Sequence, residues 1–166
     1  MGARMTNERR RATMEPPERP SDRLTLVWLD ADEAVILRWA GGPTTVRVVS
    51  DVPAHRRSTG HVRIDPAIRH GGGREQDAHE PHRIEHLRRY LHEVAERIAP
   101  EDDVEILGPG TVREHLERLL RDDDRAHGRT RTVRGAPSPP LTPRQLLARL
   151  RAGAGATPPR GMPGAR

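Results

Sequence analysis

Residues 24–50 read LTLVWLDADEAVILRWAGGPTTVRVVS, and this stretch decides the fold because it holds three short apolar runs in close succession. A polar turn separates the first run from the second, and Gly-Gly-Pro separates the second from the third. Strands joined by turns this short run antiparallel to one another. The stretch therefore predicts a three-stranded meander, with strands at Leu24–Leu29, Ala34–Trp39 and Thr45–Ser50.

Helix and strand patterns alternate in the remainder of the chain. Apolar residues at three- and four-residue spacing predict helices over His82–Ala99, Val112–Arg121 and Pro143–Arg151. Short runs at Val104–Leu107 and Arg129–Arg134 predict two more strands, the second polar enough for the edge of a sheet. The order βββαβαβα predicts an α/β fold of the ribonuclease H-like kind, with a five-stranded mixed sheet and helices packed on it.

The sequence also marks where the helices begin. Pro81 stands just before the first helix, which is a favoured place for proline. Thr111 with Glu114, and Thr142 with Gln145, have the spacing of capping boxes, in which two side chains satisfy backbone N–H groups at the helix start. These residues therefore predict the N-termini of the three helices.

The composition limits what the chain can do. All 29 basic residues are arginine, against 24 acidic residues, so the formal net charge is +5. This balance favours a polyanionic partner such as RNA, because guanidinium groups match phosphate oxygens. The absence of cysteine excludes disulfides and thiolate metal sites and is typical of a reducing cytoplasm, where we expect the protein to act. No apolar run is long enough to cross a membrane, so we expect no membrane partner.

The distribution of apolar residues predicts the domain organisation. Residues 1–22 are rich in Arg, Glu and Pro and residues 153–166 in Gly and Pro, so we expect both to be disordered tails. Residues 23–152 are then a single α/β domain. Within it, residues 51–81 form an Arg-, His- and Gly-rich stretch that we predict to be a long loop, and loops of this length in compact domains are usually functional or disordered.

This long loop is the predicted RNA-binding site. Its three consecutive glycines let the backbone approach a ligand closely, and its arginines can pair with a phosphate backbone. A solvated loop without a ligand fits the same composition equally well. The histidines lack the spacing of a metal site, so we predict neither a metal nor a cofactor. The predicted RNA-binding residues are His55, Arg56, Arg57, His61, Arg63, Arg69, His70, Gly71, Gly72, Gly73 and Arg74.

A nuclease is the first enzymatic alternative that the predicted fold raises. Asp30 follows the first strand, where such an enzyme would have a carboxylate for a metal ion, and Glu85 or Glu93 on the first helix would be a second ligand. The fourth strand, however, ends in glycine where a further carboxylate is expected, so the set is incomplete. A polar hairpin turn accounts for Asp30 without any metal.

A second candidate lies where the fourth strand turns into the second helix. Gly108, Gly110 and Thr111 form this turn, and free amides at a helix N-terminus can hold a phosphate. A close strand-to-helix turn in which only glycine fits explains the same residues without a ligand.

The segments LVWLDADEAVIL, SDVPAHRRSTGH and EILGPGTVREHLERLL together resemble a group of small bacterial release-factor-like proteins of the translational machinery. Their domain is similar to the middle domain of the archaeal and eukaryotic class 1 peptide-chain release factor and of Pelota. The resemblance covers roughly residues 24–150. It implies a ribonuclease H-like fold, ribosome binding, and action near the acceptor end of tRNA.

The resemblance departs from the release factors at the catalytic tip of the loop. Those factors carry Gly-Gly-Gln, whereas here Gly71-Gly72-Gly73 is followed by Arg74 and Glu75, and glutamine comes only at Gln76. We therefore expect a non-catalytic factor of the release, rescue or hibernation type that binds rRNA or tRNA. A peptidyl-tRNA hydrolase using Gln76, a metal-dependent nuclease using Asp30, and a protein–protein adaptor remain alternatives.

Overall fold

The computed structural model describes residues 21–53 and 74–156, with the backbone alone for residues 74–79. Eight elements follow one another in the predicted order βββαβαβα. The strands are β1 (Arg23–Leu29), β2 (Glu33–Ala40), β3 (Pro43–Val49), β4 (Asp103–Gly108) and β5 (Val133–Pro137). The helices are α1 (Arg74–Glu96), α2 (Val112–Ala126) and α3 (Pro143–Gly153).

The five strands form one mixed sheet in the order β3-β2-β1-β4-β5. Both pairs of the meander, β1 with β2 and β2 with β3, are antiparallel. β4 runs parallel to both β1 and β5, and α2 makes the crossover from β4 to β5. The predicted meander, the mixed α/β sheet of a ribonuclease H-like fold and the position of the fifth strand at an edge are therefore confirmed.

Helices cover both faces of the sheet, and β1 contributes to both cores. On one face, α1 and α2 pack over the sheet, with Val27 of β1 in contact with a core that includes Val94 and Leu116. On the other face, α3 packs through Leu150 against a core that includes Leu26. These side chains are almost completely buried. The continuous apolar run of β1 thus reflects a central strand that is buried on both sides.

Helix α1 begins earlier than predicted, so the expected loop over residues 51–81 is wrong at its C-terminal end. The helix starts at Arg74, and Pro81 lies inside it rather than ahead of it. A proline inside a helix removes one backbone hydrogen bond and crowds a carbonyl. Residues 74–80, REQDAHE, nevertheless contain several strong helix formers and no glycine, which favours an extended helix. Ile84, the first apolar residue of the helix predicted over His82–Ala99, is 60% exposed, so the buried face of α1 begins further along the helix.

Strand β5 lies further along the chain than the predicted strand over Arg129–Arg134. It begins at Val133, and the preceding arginines, Arg129 and Arg131, form ion pairs with Asp123 and Asp124 of α2. These pairs hold residues 129–131 at the end of the helix instead of in the sheet. An alternation of Arg and Thr that is typical of an edge strand is explained here by ion pairing.

The start of α3 agrees with the sequence. Thr142 accepts a hydrogen bond from the backbone N–H of Gln145, and the Gln145 side chain accepts one in return from the backbone of Thr142. The predicted capping box is therefore confirmed, with Pro143 in the first turn. Throughout the described residues, no helix combines the length and the apolar character that a membrane span needs.

Candidate functional site

Asp30 lies at the carboxyl end of β1, where a nuclease of this fold would have a metal ligand. Its Oδ1 atom accepts hydrogen bonds from the backbone N–H groups of Asp32, at 2.8 Å, and Glu33, at 2.9 Å. Its own backbone N–H donates to the Glu33 carbonyl at 3.0 Å, which closes a tight hairpin. The carboxylate is thus used to stabilise the turn between β1 and β2, as in an Asx turn.

Tyr90 of α1 joins the helix to the same turn. Its hydroxyl donates to the backbone carbonyl of Asp30 at 3.2 Å, and the side chain is 1% exposed. Burial, reinforced by the carboxylates of Asp30, Glu33 and Asp32, raises the pKa of Tyr90 well above its ordinary value. The hydroxyl therefore stays protonated and serves as a hydrogen-bond donor that fixes α1 against the end of β1.

The other nuclease candidates do not approach Asp30 as ligands. Glu85 and Glu93 are exposed on α1, and Glu93 lies 3.9 Å from Arg97 in an i,i+4 ion pair. Among the residues that the structure describes, no three His, Asp or Glu side chains come together as a metal site would require. The geometry at the carboxyl end of β1 is that of a structural turn.

Gly108, at the end of β4, is required by a close approach of two backbones. It has φ +150°, and a Cβ atom placed there would lie 1.9 Å from the backbone oxygen of Leu29. No other residue type fits without displacing β1 or β4. Gly110 has φ +63° but open space around it, so its backbone angle alone favours glycine. The close strand-to-helix turn that the sequence suggested accounts for Gly108 in full.

Thr111 precedes α2, but the predicted capping box with Glu114 is wrong. Thr111 adopts φ −88° and ψ −16°, a helical conformation, and its side chain makes no capping hydrogen bond. An N-cap side chain reaches the first turn only from an extended backbone. Glu114 contacts Arg113 instead, at 3.2 Å. A role of Gly108, Gly110 and Thr111 in binding phosphate stays a prediction.

The predicted RNA-binding residues lie outside the described residues, with one exception. Arg74 is the first residue of α1, and Gln76 follows it within the first turn, so Gln76 belongs to a helix and not to a loop tip. The remainder lie in residues 54–73, which we call the basic segment. These residues are His55, Arg56, Arg57, His61, Arg63, Arg69, His70, Gly71, Gly72 and Gly73.

A cluster that sequence reasoning missed stands next to the beginning of the basic segment. Asp51, after β3, lies 3.0 Å from Nδ1 of His86 and 3.3 Å from Arg89, both on α1. The close contact with His86, and then the charge of Arg89, lower the pKa of Asp51. This cluster ties the chain that leaves β3 to α1.

Arginines elsewhere in the described residues are largely engaged by acids. Arg38 of β2 makes two hydrogen bonds to Asp102, at 2.6 and 3.1 Å, and Thr25 of β1 donates to the same carboxylate at 2.8 Å. Asp102 is completely buried. Burial opposes its ionisation, but the hydrogen bonds from Arg38 and Thr25 outweigh that effect, and the pKa of Asp102 is lowered.

Two further pairs repeat this arrangement on the helices. Arg131, whose side chain is 5% exposed, contacts Asp124 at 2.8 Å and donates to the carbonyl of Ala99 at 2.9 Å. Arg149 of α3 makes two hydrogen bonds to Glu105 of β4, at 2.7 and 3.1 Å. Arg149 meets its carboxylate in the paired geometry that arginine favours, whereas Arg131 contacts both oxygens of Asp124 through Nε alone.

The basic charge of the chain is therefore unevenly distributed. Residues 21–53 and 74–156, which we call the folded body, contain 18 Arg and 20 Asp or Glu, a net charge of −2. The other 50 residues contain 11 Arg and 4 acids, a net charge of +7. Within these, the basic segment has four Arg and a single acid, Asp65. The positive excess that predicted a polyanionic partner lies outside the folded body.

Comparison with known proteins gives structural likeness without a match in sequence. No family model matches the chain, and no curated protein matches it. Among solved structures, the Pelota protein of Thermoplasma acidophilum is similar, with 18% sequence identity and a TM-score of 0.43. The likeness covers 87% of this chain but only 36% of the Pelota chain, so this chain spans about a third of that protein. A likeness of this extent bears on neither activity nor partners.

Proposed function

We propose that the protein is a ribosome-associated translation factor that binds rRNA or tRNA through the arginines of the basic segment and has no catalytic activity of its own. The observation that carries the proposal is the uneven distribution of charge. The folded body has a net charge of −2, whereas the basic segment has four arginines and one acid within 20 residues. Such a density of guanidinium groups favours an RNA backbone. The resemblance of the sequence to release-factor-like proteins directs the proposal to the ribosome.

The surroundings of the basic segment support the same proposal. In the sequence it is separated from the last residue of β3 by residues 50–53, and it is followed by Arg74, the first residue of α1. The contacts of Asp51 with His86 and Arg89 hold one base of the segment against α1. A phosphate-binding segment with an anchored base loses less conformational freedom on binding than a free tail does.

Binding that depends on arginine–phosphate contacts falls steeply with salt, which gives a direct test. We expect the purified protein to co-sediment with ribosomes of its own cell at low salt. Four or five phosphate contacts predict an affinity loss of roughly 10²-fold to 10³-fold between about 50 and 200 mM salt. An affinity that does not change over this range would exclude the proposed mechanism.

A charge-matched pair of variants locates the contact. The first variant replaces Arg56, Arg57, Arg63 and Arg69 by glutamine, all in the basic segment. The second replaces four body arginines for which the described residues supply no ion-pair partner, namely Arg88, Arg118, Arg144 and Arg151. Both variants lose the same charge. We expect the first to lose most ribosome binding and about four units of salt slope, and the second to keep both within a small factor.

The remaining outcomes separate the alternatives. Equal losses in both variants would indicate attraction by net charge rather than by the basic segment. Absence of ribosome binding at every salt concentration would favour the alternative of a protein–protein adaptor. Turnover of peptidyl-tRNA or RNA that disappears in Gln76→Ala or Asp30→Asn, with binding retained, would replace the non-catalytic proposal by an enzyme.

A further inference from the structure

The two edges of the sheet differ in how their backbone groups are used. In parallel pairing with β4, the even-numbered residues of β5 bond inward, as the bonds Thr132 O to Val104 N and Ser138 N to Gly108 O show. The outward carbonyl of Val133 is occupied by the Arg121 guanidinium at 2.9 Å. Pro137 has no N–H to offer. Together with α2, which packs against this strand, these features partly block the β5 edge.

The β3 edge is open by comparison. At the two ends of the β2–β3 pair, Ser50 N donates to Asp32 O and Ala40 N donates to Gly42 O. Even-numbered residues therefore bond across the pair, and odd-numbered residues direct their backbone N–H and C=O groups away from β2. Within the described part of the chain, no group bonds these outward positions. They are Thr45, Arg47 and Val49, and the Val49 residue is 71% exposed.

We propose that this edge pairs with the β3 edge of a second copy of the chain, in antiparallel two-fold fashion. A row of alternating N–H and C=O groups is complementary to an extended polypeptide backbone and to little else. When Thr45 of one copy faces Val49 of the other, Arg47 faces its own counterpart. Each of the three facing pairs then exchanges two hydrogen bonds, which uses the outward N–H and C=O groups of Thr45, Arg47 and Val49 in both copies.

A second copy is the occupant that the two edges favour. Because the β5 edge is partly blocked, addition of β3 of one copy to β5 of the next is disfavoured, so the two-fold pairing of two β3 edges is favoured over an open chain of copies. Thr and Val are residues with high β-propensity at the facing positions. The folded body is close to neutral, and Arg47 already pairs with Glu33 of β2 on the same face of the sheet, so repulsion between the copies is weak. The inference is independent of the proposed binding to RNA.

Proline at an outward position tests the proposal without removing a bond inside the fold. Pro43 already occupies such an odd-numbered position in β3, and edge strands tolerate proline where the N–H faces away from the sheet. We expect the wild-type chain to dimerise reversibly in sedimentation equilibrium. Thr45→Pro and Val49→Pro each remove one donor per copy and should weaken dimerisation by about tenfold or more. Arg47→Gln keeps the N–H and removes the like charge, so it should dimerise at least as tightly as wild type.

Amide hydrogen exchange gives a second readout that does not depend on a variant folding. The amides of Thr45, Arg47 and Val49 should gain protection as the protein concentration rises. The inward amides of Val46 and Val48 should be protected at every concentration, since they bond to β2. Outward amides that exchange freely at all concentrations, or that are protected independently of concentration in a monomer, would each overturn the proposal, as would a dimer unaffected by both proline variants.

Discussion

The arginines of the folded body and those of the basic segment are the same residue type, but the two regions differ in the number of acids per arginine. In the body, Arg38, Arg131 and Arg149 each meet a carboxylate with at least two hydrogen bonds. In the basic segment, four arginines share a single acid. The difference teaches that a high arginine content is not by itself a sign of RNA binding. Arginines that are matched by acids within the chain stabilise it, and only an unmatched group is left for a polyanion.

The largest loss of stability is expected when the buried acid Asp102 is removed. Asp102→Ala removes a completely buried carboxylate from the buried Thr25 hydroxyl and from Arg38, whose side chain is 32% exposed, and losing these hydrogen bonds costs about 3 kcal/mol. We expect urea unfolding to show a loss of that size. Glu101→Ala is the matched control, because Glu101 contacts the same arginine but is 44% exposed, and it should cost no more than about 1 kcal/mol. A small loss in both variants would mean that the pair is not a structural one.

The stability that Asp102→Ala loses should also depend on pH. The lowered pKa of Asp102 determines the direction of that dependence. A carboxylate with a folded-state pKa below its unfolded value of about 3.9 contributes stability above that value. The contribution is lost as pH falls through the folded-state pKa. The gap in unfolding free energy between wild type and Asp102→Ala should therefore be full at neutral pH and should narrow in acid below about pH 4. A gap that widens with acid would contradict the assignment.

We expect a loss of stability of intermediate size from the first of two arginine substitutions near the end of α2. Arg131, with a side chain 5% exposed, bonds both Asp124 and the Ala99 carbonyl, so Arg131→Gln should destabilise by about 2 kcal/mol. Arg125 is 80% exposed and pairs with Asp122 at the surface, so Arg125→Gln should change stability by less than about 0.5 kcal/mol. If thermal or urea unfolding showed equal losses of stability for Arg131→Gln and Arg125→Gln, burial would not explain the contribution of Arg131.

The sequence predicted those parts of the fold that depend on local pattern. The apolar run Leu24–Leu29 and the capping box of Thr142 each report on neighbours within a few residues, and both predictions hold. The strand over residues 129–134 was misplaced because Arg129 and Arg131 are held by acids of α2, and spacing alone does not reveal which acids are near in space. The start of α1 was missed because proline was taken as a boundary.

The candidate site depends on contacts between distant parts of the chain, which limited its prediction further. Arg38 and Asp102 are 64 positions apart, and nothing in either neighbourhood indicates that they meet. The sequence allowed two interpretations of Asp30, a metal ligand of a nuclease or a residue of a polar turn. The hydrogen bonds from the backbone of Asp32 and Glu33 support the turn. The role of the basic segment is still a prediction, because it was made from composition and the residues concerned lie outside the folded body.

The smallest expected effect on stability falls on the basic segment and is the sharpest test of the contrast. If Arg56, Arg57, Arg63 and Arg69 are unmatched by acids, replacing all four by glutamine removes no structural ion pair. The free energy of unfolding should then change by no more than about 0.5 kcal/mol, as for surface substitutions in general. The measurement is urea unfolding beside Arg131→Gln, a single substitution that should cost several times more. A loss above about 1 kcal/mol would mean that these four arginines, too, are matched within the chain, and the reason for assigning them to RNA would disappear.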